Sequence, residues 1–330
     1  MKLTTRIVTW PLRQPFTIAR ETWTAITCIQ ATLTDAQGRM GRGEAVGVDY
    51  AGETAASMVA QIEAVRPHID SSLTLESLQV LLPAGGARNA LDCALWDLNA
   101  KRSGIPAWRA AGLRNFEPRP TSFTFGIMAE PLLHSAARSH AHFPLLKVKT
   151  DRDHGLDSAR IVHEEAPDAR LILDPNASWG EAELRRYSPE FAKLNIVLLE
   201  QPVDPRNDEI LRAVSLPVPV AADEAFSDRQ SIAALKGKYQ VLNIKLDKTG
   251  GLSEALACAR SGLEQGYRLM VGCMVGSSLS MAPGVLVAQL CDYVDLDGPL
   301  LIGNDPFVGL KYDGANLTLP DGAGLGVSKK

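Results

Sequence analysis

The chain has little of what marks several large functional classes. Aromatic residues make up 6% of its 330 positions, too few for the stacking platforms that hold single-stranded nucleic acid. Basic residues (34) do not outnumber acidic ones (38), and a net charge of -4 leaves no electrostatic footprint for nucleic acid or an anionic membrane. Cysteine is scarce: residues 28, 93, 258, 273 and 291 are odd in number, scattered, and without a C-x-x-C pair, the pattern of reduced thiols in a cytoplasmic protein. A G-x-S-x-G elbow is missing, which removes the motif basis for a serine hydrolase. Long apolar runs are missing too. The best stretch, Val275 to Cys291, carries three serines, a proline and two glycines, too polar and short for a bilayer. The opening MKLTTRIVTW has no apolar signal-peptide core and alternates like a strand.

What is present is the balance of a soluble globular protein, 45% apolar and 22% charged, with length for one large or two medium domains. Arg6 to Trp10 and Thr24 to Thr34 alternate and are rich in β-branched residues, with a hairpin turn at Asp35-Ala-Gln-Gly38. The period turns helical over Thr54–Arg66 and Gly86–Lys101, and Pro118 and Pro120 mark a break.

Beyond the break a different rhythm begins. Short apolar runs end at Phe125, Lys149, Asp174, Glu200, Asp223, Lys245, Gly272 and Asp295, with gaps of 24, 25, 26, 23, 22, 27 and 23 residues. Helical stretches fill the gaps, among them Gly155–Glu165, Glu181–Leu194 and Ser253–Gln265. Even alternation of this kind predicts an α/β fold, a (β/α)8 barrel, with a doubly wound sheet as the alternative.

The C-terminal ends of barrel strands face the mouth where active sites form. Asp174, Glu200 and Asp223 end three consecutive strands and would converge. Three such carboxylates need a cation, and an all-oxygen set favours a hard ion such as Mg²⁺; a structural network of acids with lysines is the alternative. Lys149 and Lys245 flank the acids from strands on opposite sides, an arrangement suited to removing an α-proton on one face and returning it on the other. Lys147 points with Lys149, and Asp295 with Asp297, because strand side chains alternate.

The motifs KVKTD, DPNASW, LEQP, ADE, NIKLDKTGG and Asp-Leu-Asp-Gly, with ARNALDCALWDL before the barrel, resemble the enolase superfamily in its muconate-lactonizing branch. Within it they look most like dipeptide epimerases of the L-Ala-D/L-Glu type. The resemblance implies a modified TIM (β/α)8 barrel at 119–299 and an α+β capping domain from 1–118 and 300–330. It implies Asp174, Glu200 and Asp223 as ligands of one Mg²⁺ per subunit, Lys149 and Lys245 as acid/base catalysts, and Lys147 as electrostatic helper. Asp295 and Asp297 match the D-x-D that holds a dipeptide α-ammonium. The implied reaction inverts the second residue by two-lysine proton transfer through a metal-stabilised enediolate, in the metabolism of murein peptides. The implied partner is a small dipeptide, without nucleic acid or membrane, in a chain that could form a homo-oligomer.

Arg20, in Phe16-Thr-Ile-Ala-Arg20, stands where family members place a basic residue for the glutamyl carboxylate, although Glu21 beside it could occupy the guanidinium. The second lid segment, Gly47 to Glu53, lacks the family's arginine. Thr124, Cys273 and Met274 match substrate-lining positions. A dipeptide epimerase of other side-chain specificity, an o-succinylbenzoate synthase or an N-acylamino acid racemase are the alternatives. Four further signals are read as structural: Gly41-Arg-Gly43-Glu-Ala-Val-Gly47 as a tight turn, Gly250-Gly251 as a strand-to-helix turn, His140 and His142 as a solvated loop, and Trp96 and Trp108 as core or interface.

Overall fold

The computed structural model describes residues 1–330. The N-terminal cap is an antiparallel sheet of β1 (Lys2–Thr17), β2 (Thr22–Thr34) and β3 (Met40–Ala45), packed on helices α1 (Ala55–Val65), α2 (Leu75–Leu81) and α3 (Gly86–Ser103). Thr54 with Ser57, and Thr74 with Ser77, form reciprocal caps that start α1 and α2. A core of 17 buried residues, from Leu3 to Leu98, joins sheet and helices. Gly41 and Gly43 do not make a turn. They lie within β3, where an added Cβ would stand 2.0 Å from Ala94 O and 2.2 Å from Ala90 O; only glycine lets α3 approach the strand this closely.

Pro11 and Pro15 shape the cap's far end. Proline donates no ladder hydrogen bond, and the register of β1 on β2 breaks between Pro11 and Phe16. The hairpin resumes at Phe16 with Trp23, and its tip, Ile18 to Glu21, reaches the rest of the molecule: Ile127 N–H donates to Thr17 O at 2.8 Å.

After the short α4 (Ala107–Ala110) and β4 (Arg119–Pro120) comes the barrel. Its strands are β5 (Phe123–Phe125), β6 (Leu145–Lys149), β7 (Arg170–Asp174), β8 (Ile196–Glu200), β9 (Val220–Ala222), β10 (Val241–Ile244), β11 (Arg268–Val271) and β12 (Tyr293–Val294). They are parallel and lie in sequential order, which selects the barrel over the doubly wound sheet. The intervening helices are α5 (Glu130–Ser139), α6 (Asp157–Glu165), α7 (Glu181–Tyr187), α8 (Ile232–Leu235), α9 (Leu246–Thr249), α10 (Leu252–Glu264) and α11 (Ser278–Ala288). Glu181–Leu194 is not one helix: at Pro189 it tightens into a 3₁₀ segment over Ser188–Leu194. Then follow α12 (Gly298–Leu301), β13 (Phe307–Val308), β14 (Lys311–Asp313), β15 (Asn316–Thr318) and β16 (Ser328–Lys329); β15 pairs with β14 and β4, and β13 with β16. No helix is long and apolar enough to cross a membrane.

Period-two alternation sorts the barrel residues. Leu145, Ile172, Leu198, Ala221, Val241, Met270 and Tyr293, one from each of β6 to β12, form a separate buried cluster that floors the barrel. Their neighbours Leu146, Leu171, Leu199, Ala222, Leu242, Leu269 and Val294 belong to the 60-residue core packed on the helices. Residues two or four beyond the floor therefore point inward above it: Lys147 and Lys149, Asp174, Glu200, Asp223, Asn243 and Lys245, Asp295 and Asp297.

The barrel closes without a ladder between β12 and β5. Ser122 N–H donates to Val294 O (2.8 Å), Thr124 N–H to Asp297 (2.6 Å), and the hydroxyls of Ser122 and Thr124 to Asp295 (2.8 and 3.2 Å). Cap and barrel meet through α3. Arg88 donates to Thr249 O and Gly250 O, and Asp92 accepts from Ser253 N–H, so side chains of α3 fill the space around Gly250-Gly251. Trp96 donates to Ser253 Oγ at 2.8 Å, and Trp108 stacks on Phe116. His142 is exposed as expected, whereas His140 is half-buried, its ring stacked on Phe123 with centroids 3.7 Å apart.

Candidate active site

The inward residues at the strand ends open into a cavity of about 610 Å³ beneath the cap, lined by Thr124, Lys147, Lys149, Lys245, Asp295 and Asp297 among others. That volume lies within the range of small-molecule sites. Asp223, Cys273, Met274 and Arg20 also line it. Asp174 and Glu200 are fully buried beneath the lysines.

Lys147, Lys149 and Lys245 each pair with carboxylates at the strand ends. Lys147 Nζ sits among Asp295 (2.8 Å), Glu200 (2.9 Å) and Asp174 (3.2 Å). Lys149 donates to Asp174 Oδ2 at 2.6 Å, and Lys245 to Asp223 Oδ2 at 2.7 Å. β6 and β10, which carry these two lysines, are separated by β7, β8 and β9 in the sheet order, so they stand half the barrel apart. Burial alone would drive the Lys147 and Lys245 ammoniums toward neutrality. Asp295, Glu200 and Asp174 hold Lys147 protonated well above the ordinary lysine range, and Asp223 does so for Lys245.

The carboxylates divide. Burial would raise Asp174 and Asp223, but Lys149 with Lys147, and Lys245 with Lys248, hold them below the usual range. Burial and the neighbouring Asp174 charge push Glu200 up. Burial and Asp295 push Asp297 up to about 7. As the side chains lie, each acid is drawn onto an amine, and they do not stand as a finished ligand shell. The donor set nevertheless fits a hard cation. It offers three buried oxygen ligands that repel one another, and Glu200 Oε2, 2.9 Å from the Lys147 ammonium, stands outside hydrogen-bonding geometry.

Several contributors escaped the sequence reading. Lys248 donates to Asp223 Oδ1 (2.7 Å), Asp223 O (2.6 Å) and Asn243 O (3.1 Å). Its signal is the spacing: the single turn α9 after Lys245 brings the residue three positions later back to the strand end. Asn243 donates to Glu200 at 2.9 Å. Gln201 Oε1 accepts from Asp223 N–H (2.9 Å) and Ala225 N–H (3.0 Å), fixing the turn that aims Asp223. Asp247 accepts from Val46 N–H (3.0 Å) and Gly47 N–H (2.8 Å), anchoring the Gly47–Glu53 segment two residues from Lys245. Glu21 does not occupy Arg20; its carboxyl lies beside that of Asp49, which with burial pushes it up to about 7. Arg20 pairs with Glu224 across 2.9 Å and lies over the Tyr50 ring.

Comparison with known proteins agrees with this geometry. Residues 132–330 match the family described as "Enolase C-terminal domain-like", and residues 1–112 the mandelate racemase / muconate lactonizing enzyme N-terminal domain. The chain is 38% identical over 312 residues to the L-Ala-D/L-Glu epimerase of Escherichia coli K12, covering 94% of this chain and 97% of that one. A structure from Agrobacterium tumefaciens, an enolase family member with homology to dipeptide epimerases with bound sodium and L-Ala-L-Glu, superposes with a TM-score of 0.92 at 38% identity, covering 96% and 97% of the two chains. The dipeptide epimerase of Methylococcus capsulatus, complexed with Mg and L-Arg-D-Lys, gives 0.89 at 30% identity, covering 99% and 98%. Family matches over both regions, together with these relatives, establish that the chain belongs to the enolase superfamily, in its mandelate racemase / muconate lactonizing branch, and is an isomerase of the dipeptide epimerase group.

Proposed function

We propose that the enzyme inverts the α-carbon of the second residue of a dipeptide, with L-Ala-D/L-Glu as the pair interconverted, by 1,1-proton transfer between Lys149 and Lys245. The observation that carries this reading is the placement of two buried lysines half a barrel apart, each against a carboxylate of the Asp174, Glu200 and Asp223 set.

Asp174, Glu200 and Asp223 would hold one Mg²⁺, the ion present in the Methylococcus complex. When bound, it supplies Lewis acidity that stabilises charge developing on the substrate carboxylate. One lysine accepts the α-proton at its neutral Nζ, while the other, protonated, delivers one from the opposite face. Lys147, buried among Asp174, Glu200 and Asp295, adds a fixed positive charge that needs no reorganisation as the substrate carboxylate gains charge. Asp295 and Asp297 receive the α-ammonium. The Asp297 carboxyl is pushed up to about 7 by burial and Asp295, and a cation there offsets that repulsion. Thr124, Cys273 and Met274 line the remaining walls, and Arg20 meets the glutamyl carboxylate at the cap end. The cap keeps water from the α-carbon during transfer.

We place the activity in the cytoplasm, on murein-derived peptides. Incubation with Mg²⁺ and L-Ala-L-Glu, followed by chiral chromatography, tests it: L-Ala-D-Glu accumulates to near equality with the starting isomer. No epimerisation across a panel of X-Y dipeptides would refute the reading.

A further inference from the structure

Arg20 reaches the cavity already paired. Its Nη1 lies 2.9 Å from Glu224 Oε1, although the two are 204 residues apart and belong to the cap hairpin and the turn after β9. The guanidinium is 36% exposed at the side chain, whereas Glu224 is 7% exposed, so a flexible cation has come down onto a fixed, buried anion. The Tyr50 ring covers the guanidinium from the other lid segment at 5.4 Å. Glu224 Oε2 has no hydrogen-bond partner; Lys245 lends its field from within the barrel, and Arg20 is the residue that pairs with Glu224 directly.

The remaining charges at the cap end of the cavity do not supply a second free cation. Lys147, Lys149 and Lys245 are committed to the barrel carboxylates. Asp49 and Glu53, from the second lid segment, are acidic, and Glu21 sits beside Asp49. A substrate carboxylate arriving here meets an arginine whose charge is offset by a neighbour and whose surroundings are negative. A neutral amide side chain of the same shape meets the same hydrogen-bond donors without that repulsion.

We propose that Glu224 is a specificity-determining residue: it occupies Arg20 as an internal stand-in for the substrate's side-chain carboxylate and so narrows the preference for glutamyl over glutaminyl dipeptides. The proposal rests on the dipeptide reading above and names its substrate class more finely, as dipeptides with an acidic or polar neutral second residue. The competing explanation is that Glu224 merely tethers the hairpin to the barrel. A tether would affect both substrates alike, because neither side chain takes part in the proton transfer.

The test compares kcat/KM for L-Ala-L-Glu and L-Ala-L-Gln in the Mg²⁺-loaded wild-type enzyme and in Glu224→Gln. In the wild type the glutamyl substrate is favoured by about tenfold or less, the order left to an arginine whose charge is offset at a half-exposed site. Glu224→Gln raises that ratio by about tenfold, the effect of removing one like charge a few ångströms from the substrate carboxylate. A ratio that stays put in Glu224→Gln, with both substrates slowed equally, overturns the specificity role and leaves the epimerase reading standing. A wild-type preference above about a thousandfold overturns it without any variant, since only an unopposed, desolvated guanidinium discriminates so strongly. Turnover of neither dipeptide by the wild type removes this proposal together with the L-Ala-D/L-Glu assignment, and the panel of X-Y dipeptides then decides the epimerase reading separately.

Discussion

Asp92 offers a calculable perturbation at the joint between cap and barrel. It is fully buried on α3, accepts from Ser253 N–H and Gln79 Nε2 at 3.0 Å each, and burial pushes its carboxyl up to about 6. The unfolded chain loses this proton near an ordinary aspartate pKa of about 3.9. A raised folded pKa means the native state binds the proton more tightly, so the stabilising contribution is present at low pH and disappears as pH rises through about 6. A shift of about two units corresponds to about 3 kcal/mol in total, of which about 2 kcal/mol is lost between pH ~4.5 and ~7.5. Asp92→Asn removes that loss. Reversing the Gln79 amide pairs its Oε1, a buried acceptor without a partner, with the new N–H and gives up the Nε2 bond to Leu75 O, a cost independent of pH that cancels from the comparison below. At about 2.1 cal/mol/K per residue over 330 residues, each kcal/mol moves Tm by about 1.4 °C. The difference in Tm, Asp92→Asn minus wild type, therefore rises by about 3 °C from pH ~4.5 to ~7.5 in differential scanning calorimetry. A difference constant with pH would refute the claim that a buried, ionisable carboxyl at this joint opposes folding at neutral pH.

Four further outcomes follow from the same geometry. Lys149→Ala and Lys245→Ala each lower kcat by on the order of 10³ while the circular dichroism spectrum is kept, the size expected for a general acid or base. Arg20→Ala lowers kcat/KM for L-Ala-L-Glu by on the order of tenfold in steady-state assays, a modest loss because Glu224 already offsets its charge. Asp247→Ala frees Val46 N–H and Gly47 N–H, and hydrogen exchange over residues 46–53 accelerates while KM rises. Gly41→Ala drives a methyl to 2.0 Å from Ala94 O, and calorimetry registers a lower Tm, with a destabilisation of about 3 kcal/mol or more.

The barrel was legible because each strand is short and apolar, and six of the eight end in a charged residue. Four predicted ends coincide with the last strand residue, at Phe125, Lys149, Asp174 and Glu200, and the other four fall one position beyond. The inward direction of Lys147 and Lys149, or of Asp295 and Asp297, needs only the two-residue period of a strand. Long-range pairings were not legible. Glu224 stood in plain view beside Asp223, yet nothing local says that a hairpin two hundred residues earlier descends onto it. The same holds for Asp247 and for Asp92, whose partners lie across the cap–barrel joint. Gly41 and Gly43 were misread for a related reason: a glycine required by a helix packed from elsewhere looks, in sequence, like a glycine required by a turn. His140 was misread because its aromatic partner, Phe123, belongs to a neighbouring strand.

Solvent isotope exchange by the single-lysine variants tests the two-lysine claim most directly. With Mg²⁺ in D₂O, the wild-type enzyme incorporates deuterium at the glutamyl α-carbon starting from either L-Ala-L-Glu or L-Ala-D-Glu, read by mass spectrometry and proton NMR. Lys149→Ala and Lys245→Ala each lower epimerisation by on the order of 10³ but retain exchange from one isomer, and the isomer differs between the two variants. Exchange lost from the same isomer in both, or retained from both isomers in either, would contradict a mechanism with one lysine on each face of the substrate.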